Sequence, residues 1–131
     1  MYEGINTINM NSKIKKLNTF FLLLLFSLNT IAVKKTITYS CTGLSQFELV
    51  GSSGIKEEIK SKDYKFVDGT LHDLNNIKCD WGENLIKCES NFLNIRKLSI
   101  NLNNNEIKDY LSGNKGFGVY IENFKGQCEK K

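Results

Sequence analysis

The stretch Ile77–Ser90 constrains the fold of this chain more than any other segment, because its residues pair well in only one way. Folded as an antiparallel hairpin with residues 83–84 at the tip, it places Cys79 opposite Cys88. Side chains alternate between the two faces of a strand, so one face of the hairpin is apolar: Ile77, Cys79, Trp81, Ile86 and Cys88. The other face carries two cross-strand pairs of opposite charge, Lys78 with Glu89 and Asp80 with Lys87. A register shift of one residue would lose both features.

The hairpin also selects one disulfide connectivity among the three that four cysteines allow. Opposite residues at a non-hydrogen-bonded site have Cα atoms about 4.5 Å apart, which suits a disulfide. Cys79 is therefore expected to bond to Cys88, which leaves Cys41 for Cys128.

The cysteine spacing contains no C-x-x-C knuckle, and His72 is the one histidine. The sequence therefore predicts neither a metal site nor a cofactor.

The first 32 residues have the features of a secretory signal peptide. A basic segment after the candidate start Met10 precedes an apolar run, residues 20–28, and the small residues around Ala32 suit cleavage after that position. The run is shorter than the roughly 20 residues of a spanning helix, so no stable membrane span is expected after cleavage. Residues 33–131 are expected to form a single exported domain, periplasmic or secreted, where disulfides persist.

The charge of the domain is modest. Without residues 1–32, which hold three lysines and one glutamate, the net charge falls from +4 to +2. Nucleic-acid binders usually carry a clustered basic stripe, whereas lysine and glutamate intermingle here, so no nucleic-acid partner is expected. The abundance of Lys, Asn and Ile resembles the codon bias of an AT-rich genome, and the absence of an Asn-x-Ser/Thr sequon is compatible with a bacterial origin.

Short alternating segments predict an all-β domain. They include Thr36–Thr42, a second strand around Phe47, residues 96–102 and the last strand to Cys128, while residues 55–62 favour strand over helix. Asp68-Gly69 suits a type I′ turn that places Phe66 opposite Leu71. We expect an antiparallel meander of seven to nine short strands that closes as a small barrel or sandwich, stapled by disulfides, and is a monomer.

Two places break the alternation. If Leu102 faces Ile107, then Asp109 points inward, so we expect a bulge between them. The alternation also changes phase at residues 122–123, and three glycines predict a flexible loop from Gly113 to Gly118.

Catalytic groups do not converge in this sequence. A Ser-His-Asp or Cys-His arrangement would need His72, which follows a turn, and the cysteines are assigned to disulfides. No two carboxylates stand out as a general acid and base. We therefore expect that the protein is not an enzyme.

The aromatic residues either line a ligand cavity or fill a small core. Exposed loops commonly carry binding residues, and the candidates here are Ser112, Gly113, Lys115, Phe117 and Tyr120.

The Tyr39-Ser40-Cys41 opening, the meander and the cysteine in the last strand resemble the periplasmic membrane-bound inhibitors of c-type lysozyme. The chain also resembles many small exported bacterial β-proteins. The lysozyme-inhibitor resemblance implies a bridge between an early and a C-terminal cysteine, and a Ser-Gly element that reaches into the lysozyme cleft, for which Ser112-Gly113 is the candidate.

These observations support one leading hypothesis, a non-enzymatic exported β domain that binds a protein or a small ligand in the cell envelope or outside the cell. The alternative is an inhibitor of a hydrolase such as lysozyme, and a small enzyme comes third. A cavity lined by aromatic residues would favour a small ligand. A filled core with a protruding loop near Gly113–Gly118 would favour a protein partner.

Overall fold

The computed structural model describes residues 33–73 and 75–131, so the predicted signal peptide lies outside the described residues. In this part of the chain eight β-strands follow one another: β1 Thr36–Leu49, β2 Ile55–Val67, β3 Thr70–His72, β4 Ile77–Trp81, β5 Leu85–Ser90, β6 Ile95–Asn101, β7 Glu106–Asn114 and β8 Val119–Lys130. Each strand pairs antiparallel with the next, and β8 pairs with β1 to close a barrel. The predicted antiparallel meander is confirmed, and the structure decides for a barrel rather than a sandwich. No helix in the described part has the length and apolar character needed to cross a membrane.

The central hairpin has the predicted register. Cys79 pairs with Cys88, and Trp81 pairs with Ile86. Both predicted disulfides are present, Cys79–Cys88 with Cα atoms 4.3 Å apart and Cys41–Cys128 with Cα atoms 4.0 Å apart. The first bridge staples two neighbouring strands, while the second joins the first strand of the barrel to the last.

The Asp68-Gly69 turn between β2 and β3 is also confirmed. Both residues have positive φ angles, 50° and 79°, as a type I′ turn requires. Phe66 consequently lies opposite Leu71. The turn is covered by Trp81, whose indole N–H donates to the Gly69 carbonyl over 3.0 Å.

The up-and-down order of the strands puts three of the seven turns at one end of the barrel and four at the other. The β2–β3, β4–β5 and β6–β7 turns share one end with residues 34–35 and Lys131, and we call this the terminal end. The opposite end, with the β1–β2, β3–β4, β5–β6 and β7–β8 turns, is the loop end. A compact apolar core fills the interior; its fully buried large side chains are Phe66, Leu71, Ile86, Leu98, Ile100, Ile107 and Phe124.

Three sequence expectations were wrong. β1 is one strand of 14 residues rather than two. Ile107 pairs with Ile100, because Leu102 lies in the β6–β7 turn, so Asp109 points inward without the bulge that we expected. The alternation of β8 does not change phase either, because Glu122 takes an inward position. The last two errors share one cause, since both assumed that charged side chains avoid the interior.

The two disulfides should contribute unequally to stability. On the chain-entropy model, a bridge with a sequence separation of 9 contributes about 2.5–3 kcal/mol, and one with a separation of 87 contributes about 4.5 kcal/mol. Thermal unfolding of the paired Cys→Ala variants should therefore show the larger loss for Cys41/Cys128. The Cys79/Cys88 variant should stay folded, because its hairpin keeps Trp81 and Ile86 in register. A larger loss for the Cys79/Cys88 variant would contradict this ranking.

Candidate functional site

Three turns lie side by side at the loop end. The Val50 amide, at the start of the β1–β2 turn, donates to the carbonyl of Val119, which follows the β7–β8 turn, over 2.8 Å. The β5–β6 turn lies on the other side of β7, where Ile95 pairs with Ser112. Residues far apart in the sequence therefore share one surface.

This surface is unusually apolar for exposed turns. Phe92 and Leu93 are 74% and 76% exposed in the β5–β6 turn, and Phe117 is 63% exposed in the β7–β8 turn. We call the exposed apolar residues of the three turns, and of the strand ends that follow two of them, the loop-end rim: Val50, Phe92, Leu93, Ile95, Phe117 and Val119. Single exposed apolar residues are normal on a soluble protein, whereas several of them on neighbouring turns make a candidate interaction surface.

Leu93 is held in a strained backbone conformation. Its φ angle is 63°, and the Asn94 amide donates to the Phe92 carbonyl over 2.7 Å. A three-residue turn with positive φ at its centre is rare, and a branched side chain there costs about 1–2 kcal/mol. The Leu93 side chain is exposed in this conformation, and backbone strain of this kind is concentrated at functional sites.

The predicted binding residues all lie at the loop end, but not in one loop. β7 extends to Asn114, so Ser112 and Gly113 belong to a strand and the loop begins two residues later than predicted. Gly113 fits there because a Cβ atom would collide with the Asn94 side chain. Tyr120 is buried, and the ammonium of Lys115 lies 4.5 Å from the centre of its ring. Of the five residues, only Phe117 belongs to the loop-end rim.

A polar cleft of about 390 Å³ lies inside the barrel wall below this surface. At its centre the Arg96 guanidinium donates two hydrogen bonds to Asp109, over 3.0 and 2.8 Å, and it also contacts Asp73. The Tyr64 hydroxyl donates to Asp109 over 2.9 Å. Each of these buried polar groups is therefore satisfied by another.

The ionisation of this cluster follows from its contacts. Burial, and then the charge and hydrogen bond of Asp109, raise the pKa of Tyr64, so its hydroxyl remains a donor. Burial acts to lower the pKa of Arg96, but the hydrogen bonds and charges of Asp109 and Asp73 outweigh it and raise that pKa. The Arg96 guanidinium in the cleft thus keeps its charge.

A second interior ion pair lies beside the first. The Lys62 ammonium is 2.7 Å from a Glu122 carboxylate oxygen, which also accepts a hydrogen bond from Ser45 over 3.1 Å. Burial acts to raise the pKa of Glu122, but the hydrogen bond and charge of Lys62, followed by the Ser45 hydroxyl, lower it below its ordinary value. The carboxylate is stabilised in its charged form.

Sequence reasoning missed this interior polar cluster: Lys62, Tyr64, Arg96, Asp109 and Glu122. One signal was present, because the alternation in Ile107-x-Asp109-x-Leu111 places Asp109 inward. A partner could not be found from sequence, since Arg96 and Lys62 belong to other strands. His72 lines the cleft opening with an exposed side chain. Within the described residues, no group of three or more His, Cys, Asp or Glu side chains could hold a metal ion.

No protein-family model, curated protein or solved structure matches this chain. The fold and the site define a small disulfide-stapled β-barrel with a filled core, an interior ion-pair cluster and an apolar rim at one end.

The Arg96–Asp109 pair should be essential for stability. Asp109→Asn would leave a buried guanidinium without its main counterion, which costs about 3 kcal/mol or more. Asp80→Asn, on the exposed face of β4, should change the free energy of unfolding by less than about 0.5 kcal/mol. Urea unfolding measures the free energy of unfolding of both variants. An equal loss of stability in both would show that the buried Arg96–Asp109 pair contributes no more than the exposed Asp80.

The Glu122–Lys62 pair should make stability depend on pH. The lowered pKa of Glu122 in the folded state adds stability above the ordinary glutamate pKa of about 4.3, and this contribution is lost as the pH falls through the folded-state pKa. Glu122→Gln should therefore be less stable than the wild type by about 1–2 kcal/mol at pH 7.

Below about pH 4 that difference should shrink towards zero. The control is Glu129→Gln, an exposed position on the same strand, which should follow the wild-type curve. Thermal melts between pH 3 and pH 7 test both expectations. A difference between Glu122→Gln and the wild type that is the same at pH 3 and pH 7 would show that the effect comes from packing.

Proposed function

We propose that this protein is a non-enzymatic exported β domain that binds a protein partner through the loop-end rim. The observation that carries the proposal is the group of exposed apolar side chains on three adjacent turns, two of them phenylalanines. Protein interfaces are enriched in aromatic residues at their centres, and a few such anchors supply most of the binding energy. The strained turn at Leu93 supports the same conclusion, because the conformation exposes an apolar side chain at the expense of stability.

Two further observations favour a protein over a small ligand. The aromatic residues Phe66 and Phe124 are almost fully buried and pack into the filled core. The charged groups of the cleft are paired with one another, as in Arg96 with Asp109, so a small polar ligand would have to compete with existing ion pairs. The rim, in contrast, has apolar surface that a partner can cover.

Inhibition of a hydrolase such as lysozyme is a narrower form of this proposal. It rests on the resemblance of the Tyr39-Ser40-Cys41 opening to lysozyme inhibitors. In the structure Ser112 and Gly113 lie in β7, paired with Ile121 and Tyr120 of β8, so in this chain Phe117 and Leu93 are the residues that would enter an enzyme cleft. Titration of a c-type lysozyme with the purified protein tests this form directly.

Substitutions in the rim should weaken binding without unfolding the protein. In the β7–β8 turn, Phe117→Ala removes the aromatic anchor of the rim and Lys115→Glu reverses the charge beside it, and we expect about tenfold weaker binding or more for the combined variant. Leu93→Gly should act in the same way and should not lower stability, because relief of the left-handed strain offsets the larger chain entropy of glycine.

The matched control changes the terminal end instead. Lys78→Glu with Leu85→Ala reverses one charge and removes one exposed apolar side chain from the central hairpin. Exported proteins retained by the immobilised wild type are identified by mass spectrometry, and the affinity of each variant for the retained protein is then measured by calorimetry. Binding that is lost with the control variant and kept with the rim variants would place the interface elsewhere.

A further inference from the structure

One strand of the barrel has a long free edge. β2 pairs along its whole length with β1, from Ile55 to Val67. On its other side only Lys65, Phe66 and Val67 pair, because β3 is three residues long. Among the described residues, no backbone hydrogen bond is present on that side from residue 55 to residue 64. The barrel is closed at the terminal end and open along this edge at the loop end.

The direction of the free backbone groups follows from the disulfide. Cys41 and Cys128 have Cα atoms 4.0 Å apart, the short separation of a non-hydrogen-bonded pair. The backbone groups of Cys41 therefore point to the other side, towards Lys62 of β2. The backbone groups of the even-numbered residues of β2 therefore form hydrogen bonds with β1. The backbone groups of the odd-numbered residues point away from β1, towards the free edge. The two-residue turn at 68–69 agrees, because it makes Val67 and Thr70 a hydrogen-bonded pair.

The free edge is apolar at its centre. Ile59 is 72% exposed on the outer face, where it pairs with the partly exposed Leu44 of β1. Ile55 is 58% exposed on the same face. A long exposed edge with apolar side chains is a template for another strand, and proteins usually blunt such edges. Lysine residues lie on both sides of the centre of the free edge of β2, but the residue at the centre itself is the apolar Ile59.

We propose that two copies of the protein pair through this edge, with the β2 strands antiparallel about a two-fold axis at Ile59. A closed dimer requires a self-complementary edge, and the sequence of β2 meets that condition. Ile59 would face Ile59 of the second copy, so that Leu44 and Ile59 of each copy form one row of four aliphatic side chains on the outer face. The odd-numbered residues, whose backbone groups are free, supply the hydrogen bonds.

The charges at the edge fit the same register. Glu58 lies opposite Lys60 of the second copy, and Lys60 lies opposite its Glu58, which gives two attractive cross-strand pairs. Glu57 lies opposite Ser61. Lys56 lies opposite Lys62, but the charge of Lys62 is compensated by Glu122 within its own barrel.

Dimerisation through the β2 edge would be a second interaction of the protein, separate from partner binding at the rim, and each dimer would carry two copies of the rim. Because the paired strands are antiparallel, the loop ends of the two barrels point in opposite directions. The dimer would present two rims that face away from each other, so it would bridge two partner molecules rather than bind two sites on one of them.

Charge placed at the axis tests the proposal. Sedimentation velocity over a range of concentrations should show a reversible dimer for the purified wild-type protein. Ile59→Lys puts two ammonium groups at the axis and should raise the dimer dissociation constant about tenfold or more. Ile55→Lys is the matched control, since the same change on the same exposed edge lies opposite Asp63 of the second copy. It should dimerise at least as well as the wild type.

Cross-linking tests the register. Ile59→Cys should form an intermolecular disulfide on mild oxidation, because hydrogen-bonded partners have Cα atoms about 5.5 Å apart. Ile55→Cys should not, since the two positions 55 lie at opposite ends of the paired segment. Circular dichroism confirms that each variant is folded. A wild-type protein that is monomeric at every concentration, a dimer that Ile59→Lys leaves unchanged, or equal cross-linking of both cysteine variants would each overturn the proposal.

Discussion

The pairing of the first strand with the last is the constraint on which the rest of the structure depends. β1 and β8 pair over residues 39–49 and 120–130, and this ladder converts a meander with two open edges into a barrel. The Cys41–Cys128 disulfide locks its register. The strands also come close enough at Gly43 and Gly126 that a side chain at either position would collide with backbone atoms of the other strand. Closure therefore rests on a covalent bond, a hydrogen-bonded ladder and a pair of glycines at one crossing.

Closure divides the interior into two unlike parts. The core is filled with large apolar side chains such as Phe66 and Phe124. Towards the loop end the interior contains Arg96 with Asp109 and Lys62 with Glu122, which must be paired because an isolated buried charge is costly. Ion pairs fill space less completely than aliphatic side chains, which leaves the cleft, and they hold β6, β7, β8 and β2 in place beneath the turns. The two ion pairs thus connect four strands beneath the turns of the loop-end rim.

Some features of this protein could be predicted from its sequence without the structure, and others could not. The central hairpin, both disulfides and the Asp68-Gly69 turn were predicted correctly, since each depends on residues that a short turn brings together or on the few pairings that four cysteines allow. Asp109 and Glu122 were misjudged because a charged residue inside a barrel is acceptable only beside its partner. Of the site, Phe117 was predicted from its glycine-rich loop. Leu93 was missed, because nothing in the residue types reveals a positive φ angle for a leucine.

By itself, the sequence determined the all-β class, the turns and the two covalent bonds, because alternation and turn chemistry act over a few residues and Cys79–Cys88 followed from one hairpin. Only the tertiary structure decided which strands are neighbours across the barrel, which charges meet inside it and which edge stays open. Those outcomes depend on the registers of strands that are distant in sequence, such as Lys62 with Glu122, 60 residues apart. They also depend on the length of β3, whose three residues pair with only the last three of β2, so that in the described part of the chain most of β2 has one neighbour. The rim and the free edge arise from these long-range registers, and local residue patterns do not encode them.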